Sequence, residues 1–220
     1  MLVLQDIQVR NILTNLNLQI SKGEFVVVTG ENGAGKTTLF NTISGQVAPN
    51  RGRIWIDGQD VTKESQAARS RWVASVAQDP RVGTLAGMTL RDNMSVALRR
   101  GKSRGGQACA SKERDDLFRE HLQELDMGLE ERLDSLVGEL SGGQRQALSV
   151  MLAFLSDFKI LLLDEITAAL NVTNARKILD LVTKKCRKAQ KTCLMITHNP
   201  EQIRQFGDWV VELKTRERSL

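Results

Sequence analysis

Eight residues, Gly30-Glu31-Asn32-Gly33-Ala34-Gly35-Lys36-Thr37, followed by Thr38, satisfy the pattern G-x-x-x-x-G-K-[ST] in full. The chemistry this spacing serves is the gripping of a phosphate chain. Gly30, Gly33 and Gly35 let the backbone curl so that successive N–H groups face one anion, and a helix opening at Lys36 would aim its positive end at the same charge. Lys36 would neutralise the outer phosphates, and the Thr37 hydroxyl would reach Mg²⁺. A nucleoside triphosphate with Mg²⁺ is the expected ligand. Far along the chain a second glycine turn, Leu140-Ser141-Gly142-Gly143-Gln144, opens another helix. Ser141 can cap that helix, whose apolar positions Ala147, Val150, Met151, Phe154 and Leu155 fall on one face, and its N-terminus is a second anion socket. One triphosphate needs one such loop. The second socket therefore calls for another nucleotide or another copy of the chain. If two copies pack head to tail, each loop-bound nucleotide is closed by residues 141–144 of the other.

Carboxylates complete the set. Ile160-Leu161-Leu162-Leu163 is an apolar run ending in Asp164-Glu165. Side chains alternate along a strand, so the two acids are expected to point apart. Asp164 is expected to hold hydrated Mg²⁺, and Glu165 to act as the general base or to orient the attacking water. His198 follows the apolar run Cys193-Leu194-Met195-Ile196 and is expected to contact the γ-phosphate. Gln78 follows Trp72-Val73-Ala74-Ser75-Val76-Ala77. It is expected to touch metal or water and to report occupancy to the helical region beyond it.

The elements that must position these residues form an α/β pattern. Leu2 to Val9 and Leu16 to Ile20 alternate with period two, as half-exposed antiparallel strands do. Phe25-Val26-Val27-Val28, Ile160–Leu163 and Cys193–Ile196 are continuous apolar runs, the mark of central parallel strands covered on both faces. Trp209-Val210-Val211 reads as an edge or final strand. Helices are expected near 36–45, 142–156 and 172–190. Strand, glycine loop, helix and strand again is the grammar of an open sheet with its ligand at the strand carboxyl ends. Residues 80–156 carry helical sequence (Thr89 to Arg99, Ser111 to Asp126) and little strand signal. A single domain over 1–220 follows, with a core of 1–79 and 157–220 and an inserted helical subdomain of 80–156. Residues 99–112, with Arg99, Arg100, Lys102, Arg104, Gly105 and Gly106, read as a basic flexible loop, either a solvated connector or a contact for acidic lipid or nucleic acid.

Composition narrows the classes. Of 220 residues 41% are hydrophobic and 26% charged, which is globular. The net charge of +5 is too small to argue for nucleic acid. Cys109, Cys186 and Cys193 are odd in number, lack metal-ligand spacing and fit a reducing compartment. The longest largely apolar stretch, Ala147 to Leu155, is far short of the ~20 residues a bilayer needs, and no leader segment is read at Met1. A soluble chain is expected, with no further domain after Trp209–Leu213, so that any membrane role belongs to a partner.

In this order the pieces resemble the nucleotide-binding subunit of ATP-binding cassette (ABC) transporters over essentially the whole chain. The resemblance makes Gly30–Thr37 the Walker A loop, Gln78 the Q-loop, Leu140–Gln144 the signature, Ile160–Asp164 Walker B, Glu165 the catalytic glutamate and His198 the switch histidine. It implies a P-loop NTPase of the ABC ATPase fold: a RecA-like core with an antiparallel β subdomain and an inserted helical subdomain. It also implies ATP and Mg²⁺ as ligands, an ATP-sandwich dimer, and docking on transmembrane permease subunits near Gln78. The cytoplasmic face of the inner membrane is the place this implies. Asp57-Gly58-Gln59-Asp60-Val61-Thr62 looks like cassettes of branched-chain-amino-acid permeases. Gln78-Asp79-Pro80, Ala97 to Lys102 and Asp164–Leu170 look closer to a bacterial importer group that works with a periplasmic solute-binding protein and is linked to aromatic amino acids. Export or lipoprotein release, a soluble ABC ATPase on nucleic acid or ribosomes, and a weakly active nucleotide-binding scaffold are the alternatives. Three departures stand out. No Tyr occurs anywhere, and no Phe or Trp precedes Phe25, where the family usually sets an aromatic under adenine; Val9 or Arg10 would have to substitute. Ile166 stands where proline is usual, and Asn171 where the D-loop usually ends in aspartate.

Overall fold

The computed structural model of the chain describes residues 1–100 and 111–214. Lys102, Arg104, Gly105, Gly106 and Cys109 of the basic connector lie outside the described residues. The chain divides into two compact units. One is built from the described residues of Met1–Ser75, Phe158–Glu165 and Lys185–Leu220, the other from those of Val76–Asp157 and Ile166–Lys184.

In the first unit, β1 (Leu2–Val9) lies antiparallel between β2 (Leu13–Ile20) and β4 (Arg51–Ile56), with the short β5 (Gln59–Asp60) outside β4. Leu2 faces Ile20 on one side and Ile56 on the other. Strict alternation would turn half of β1 outward. Instead the register shifts between Leu4 and Ile7, where Asp6 takes φ 48°, and this bulge returns Ile7 and Val9 to the core beside Leu2 and Leu4.

The parallel sheet runs in the order β6-β7-β8-β3-β9, from β6 (Val73–Val76), β7 (Ile160–Asp164), β8 (Thr192–Ile196), β3 (Phe25–Gly30) and β9 (Trp209–Leu213). The three apolar runs form its centre, and Val26, Val27, Val28, Leu161, Leu162, Leu163 and Leu194 are all buried. Each such side chain contributes about 1.5–3 kcal/mol on leaving water. β9 is an edge strand, paired to β3 alone. α1 (Lys36–Ser44) follows β3, and α2 (Gln66–Arg69) follows the antiparallel sheet.

Arg69 of α2 is 1% exposed. Its guanidinium donates to the carbonyls of Val61 (2.9 Å), Thr42 (2.6 Å), Ile43 (3.1 Å) and Thr62 (2.8 Å). Burial pushes its pKa below the ordinary arginine value, so the hydrogen bonds are what make the site tolerable. One side chain thus ties the end of α1 to the segment leaving the antiparallel sheet.

The second unit is helical, with α3 (Leu90–Leu98), α4 (Lys112–Gln123), α5 (Gly142–Phe154) and residues 172–184 of α6 (Val172–Lys188). Arg91 of α3 reaches Asp115 of α4 at 2.9 Å and also pairs with Asp134. The sequence reads α5 as amphipathic, but every residue from Gln146 to Ala153 is buried. Ser149 and Gln146 are the polar positions that would have faced water on a surface helix; here they are enclosed. The chain re-enters the first unit at Lys185, and α7 (Pro200–Phe206), which follows β8 there, is capped by Asn199, whose Oδ1 accepts from Glu201 N–H at 2.9 Å.

Candidate nucleotide site

The loop between β3 and α1 has the shape its glycines permit. Gly30 sits at φ 142°, where a Cβ would stand 2.3 Å from the Leu213 carbonyl oxygen, so only glycine fits beside β9. Gly35 caps α1 in the left-handed region at φ 95°, and a Cβ there would meet Ile12 Cγ2 and Leu13 Cδ2 at 2.9 Å. α1 has no side-chain cap, which leaves its first N–H groups for an anion. Lys36 is 8% exposed, and its Nζ donates to Gly30 O at 2.7 Å and Glu31 O at 3.0 Å. The ammonium is therefore held inside the curl of the loop. An open cleft of about 290 Å³ lies over it, lined by Ile12, Asn32, Gly33, Gly35, Lys36, Thr37, Thr38 and Glu165.

Asp164 ends β7 half-buried, with Glu165 next along the chain. Burial first, and then the neighbouring Glu165 charge, push the Asp164 carboxyl above the usual range; a hydrogen bond from Thr37 and the Lys36 charge pull against this. Glu165 lies beyond the strand at φ 46°, a left-handed conformation uncommon outside glycine. The strand-alternation argument therefore stops at Asp164, and a backbone bend aims Glu165. Its N–H donates to Ile196 O at 3.1 Å, and its Oε1 lies 3.3 Å from His198 Nε2. His198 follows β8 and is exposed, in a turn fixed by Thr197, whose hydroxyl accepts from Asn199 N–H at 3.2 Å. The order β7-β8-β3 thus gathers Asp164, Glu165, His198 and the glycine loop at the carboxyl ends of adjacent strands.

Gln78 and the second glycine turn belong to the second unit. Ser141 and Gln144 form a capping box: Ser141 Oγ accepts from Gln144 N–H and Gln144 Oε1 accepts from Ser141 N–H, both at 3.2 Å. A cavity of about 590 Å³ lies against this turn, lined by Asp126, Met127, Ser141, Gly143, Gln144, Ala169, Leu170, Asn171 and Asn174. Asn171 caps α6, its Oδ1 accepting from Asn174 N–H at 2.8 Å, a task an amide performs as well as a carboxylate. Gln78 is exposed two residues after β6. The segment around it is fastened to α5, which sequence reasoning did not anticipate. Gln146, 0% exposed, donates to Ala77 O at 3.2 Å, and Arg145 Nε donates to Thr84 Oγ1 at 2.6 Å.

The ABC transporter family model matches residues 13–168. The chain is 41% identical to a tyrosine transport ATP-binding protein of Clostridioides difficile (strain R20291), over 92% of this chain and 80% of that one. It is 34% identical to a thiamine import ATP-binding protein of Histophilus somni (strain 129Pt), over 93% and 90% respectively. It spans about half the length of a glycine betaine/carnitine/choline transport ATP-binding protein and of a choline transport ATP-binding protein, both of Bacillus subtilis (strain 168), that it also matches. Among solved structures, a dimeric ATP-binding cassette in a post-hydrolysis state, bound to ADP and Pi, superposes with a TM-score of 0.84 at 27% identity, covering 97% of this chain and 94% of that one. The chain belongs to the ABC transporter family, as an ATP-binding subunit with the ABC ATPase fold. Its enzymatic class is accordingly that of an ATPase.

The family and fold expected from the motifs are therefore correct. Val9, one of the two residues weighed as a substitute under the base, is buried in the core. Ile12, which the sequence did not single out, lines the cleft instead.

Proposed function

We propose that this subunit hydrolyses ATP to drive uptake of a small solute, with an amino acid as the solute class, through partner permease subunits. The observation that carries the reading is the grouping of Lys36, Thr37, Asp164, Glu165 and His198 at the ends of three adjacent parallel strands. The triphosphate lies along the Gly30–Thr38 loop, with Lys36 turning from its carbonyl partners toward the β and γ phosphates. Glu165 orients a water and takes its proton as the oxygen attacks the γ-phosphorus; the bond to the bridging oxygen breaks and ADP leaves. His198, 3.3 Å from Glu165, holds that carboxylate and contacts the γ-phosphate. Gln78 is assigned to the metal or the attacking water.

The donors fit Mg²⁺. Among the described residues no cluster of three or more His, Cys, Asp or Glu could form an all-protein cage. One carboxylate, Asp164, beside one hydroxyl, Thr37, is the protein share expected for a magnesium ion completed by phosphates and water. When bound, the ion supplies positive charge to the phosphates and relieves the burial strain on Asp164.

Ser141, Gly142, Gly143 and Gln144 close the nucleotide held by a second copy, forming a head-to-tail dimer. The dimeric state of the solved relative supports this reading. No described helix is long and apolar enough to cross a membrane, so the bilayer is crossed by the permease, and the subunit works at its cytoplasmic face. A periplasmic solute-binding protein is the further partner for import, and no role on nucleic acid is assigned. The thiamine-import and methionine-import names of two relatives support uptake over export, and the tyrosine-transport name of another supports an amino acid as solute. The test is ATP hydrolysis by the chain reconstituted with its permease in vesicles, with and without candidate amino acids on the outer side. Solute-stimulated hydrolysis with accumulation inside is expected; hydrolysis with outward movement alone would overturn the import reading.

A further inference from the structure

We infer that Arg145 is a positioning residue for closure of the dimer. Its guanidinium, seated on the Thr84 hydroxyl, holds the opening turn of α5 where residues 141–144 can meet the nucleotide of a second copy. The inference rests on the head-to-tail reading above and adds the side chain that fixes the turn. By sequence that turn is weak. Its first two helical positions are Gly142 and Gly143, the residue type that loses most freedom on entering a helix. A Cβ on Gly142 would meet nothing within 4 Å, so the turn stands open on that side. The capping box of Ser141 and Gln144 closes the turn on itself, through two hydrogen bonds of 3.2 Å. Beyond the turn, Gln144 reaches Met127 O only at 3.5 Å.

Arg145 supplies the stronger tie. Its backbone N–H completes the turn by donating to Ser141 O at 2.9 Å. Its side chain leaves the helix: Nε donates to Thr84 Oγ1 at 2.6 Å, and Nη2 to Thr84 O at 3.4 Å. Thr84 is 5% exposed, and its hydroxyl donates in turn to Pro80 O at 2.7 Å. A hydroxyl that accepts from a cation and donates onward is polarised in both directions, which strengthens the pair. The same loop packs on the same face of α5 one turn further on, where a Cβ on Gly83 would come within 2.9 Å of Ser149 Oγ. Charge points to the same role. A cation in the opening turn of a helix is disfavoured by the dipole, and no acid in this turn offsets it. Arg145 therefore acts through its reach and its fork, and the helix alone gives it no reason to be there.

The experiment titrates the full chain carrying Glu165→Gln with ATP and reads the dimer by light scattering. Arg145→Met and Thr84→Val should each raise the ATP concentration at half-dimerisation by about 10-fold or more. Together they should lose no more than about twofold beyond the worse single variant, since both remove one contact. Thr84→Ser keeps the hydroxyl and should dimerise within about twofold of the Glu165→Gln parent. Arg145→Lys keeps the charge, loses the fork and should fall with Arg145→Met. ATP affinity of the dilute monomer should stay within about twofold throughout, because the phosphate loop belongs to the other compact unit. Losses that multiply in the double variant would overturn the proposal, as would a Thr84→Ser chain as impaired as Thr84→Val. So would an Arg145→Lys chain that matches the parent, which would make Arg145 a charge for the second copy's phosphates. Monomer ATP binding that falls in step with the dimer would also overturn it, by showing damage to the fold. A parent that forms no ATP-dependent dimer would bring down the head-to-tail reading itself, and this inference with it.

Discussion

His198 Nε2 lies 3.3 Å from Glu165 Oε1, and the two side chains come from the ends of the neighbouring strands β8 and β7. The contact joins a residue in a left-handed backbone bend to one in a turn fixed by Thr197. Neither side chain depends on its own strand's geometry to find the other.

Glu165→Gln keeps the shape of that contact and removes the base. ATP affinity is expected to stay within about twofold, while steady-state turnover falls by about 10²- to 10⁴-fold, the usual worth of a positioned proton acceptor. Sizing chromatography with ATP should then show an accumulated dimer. Hydrolysis at the parental rate would remove Glu165 from the role of base.

The raised pKa of Asp164 carries a stability consequence with a definite sign. In the folded chain burial disfavours its charged form, so the group lowers stability as pH rises from the usual carboxylate range through its own elevated value. Asp164→Asn should therefore raise the Tm of the nucleotide-free chain at pH 7 by about a degree or more, a stabilisation of the kind that replaces a functional charge. The gain should shrink as pH falls and vanish below the ordinary aspartate range. The same variant should lose the extra stabilisation that magnesium adds to ATP. Melting curves from pH 4 to pH 8 decide it; an equal gain at every pH would mean that the charge is not the cause.

Arg69 is a structural keystone. Arg69→Met retains bulk but strands the carbonyls of Thr42, Ile43 and Thr62, which the guanidinium now satisfies, while Val61 O keeps its bond from Glu64 N–H at 3.0 Å. A loss of about 3 kcal/mol is expected from the orphaned buried acceptors, lowering Tm by about 6–12 °C. Urea denaturation gives the measurement, and a change under about 0.5 kcal/mol would contradict this account.

Ser141→Arg removes one helix cap, at a cost of about 1 kcal/mol, and sets a bulky cation at the mouth of the cavity beside Gly143 and Gln144. A monomer should still bind ATP through its own loop. ATP-driven dimerisation should disappear, as read by light scattering. A dimer that forms undisturbed would show that this turn does not face a second copy.

Apolar runs made the centre of the fold legible. Val26–Val28, Leu161–Leu163 and Leu194–Ile196 have no polar alternation, and only a sheet covered on both faces accommodates them. The curl of the Gly30–Thr37 loop was legible because a phosphate-binding pattern fixes glycine spacing. Ile12, by contrast, is one aliphatic residue among several at the β1–β2 turn, and its exposure depends on the twist that Arg10 and Asn50 impose. Arg69 reads as a surface helix residue by default; its burial is set by carbonyls from two separate segments, Thr42–Ile43 and Val61–Thr62. α5 misled for a related reason, since an apolar stripe looks the same whether the opposite face meets water or more protein. The bend at Glu165 left no mark in residue type, because glutamate gives no hint of a positive φ.

The two hydrogen bonds from Lys36 to Gly30 and Glu31 bear on speed. A loop closed around its own ammonium keeps its curvature between one turnover and the next. An incoming polyanion then meets a cradle already formed and has only to draw a single flexible tip outward. On this geometry the loop need not be rebuilt before each capture.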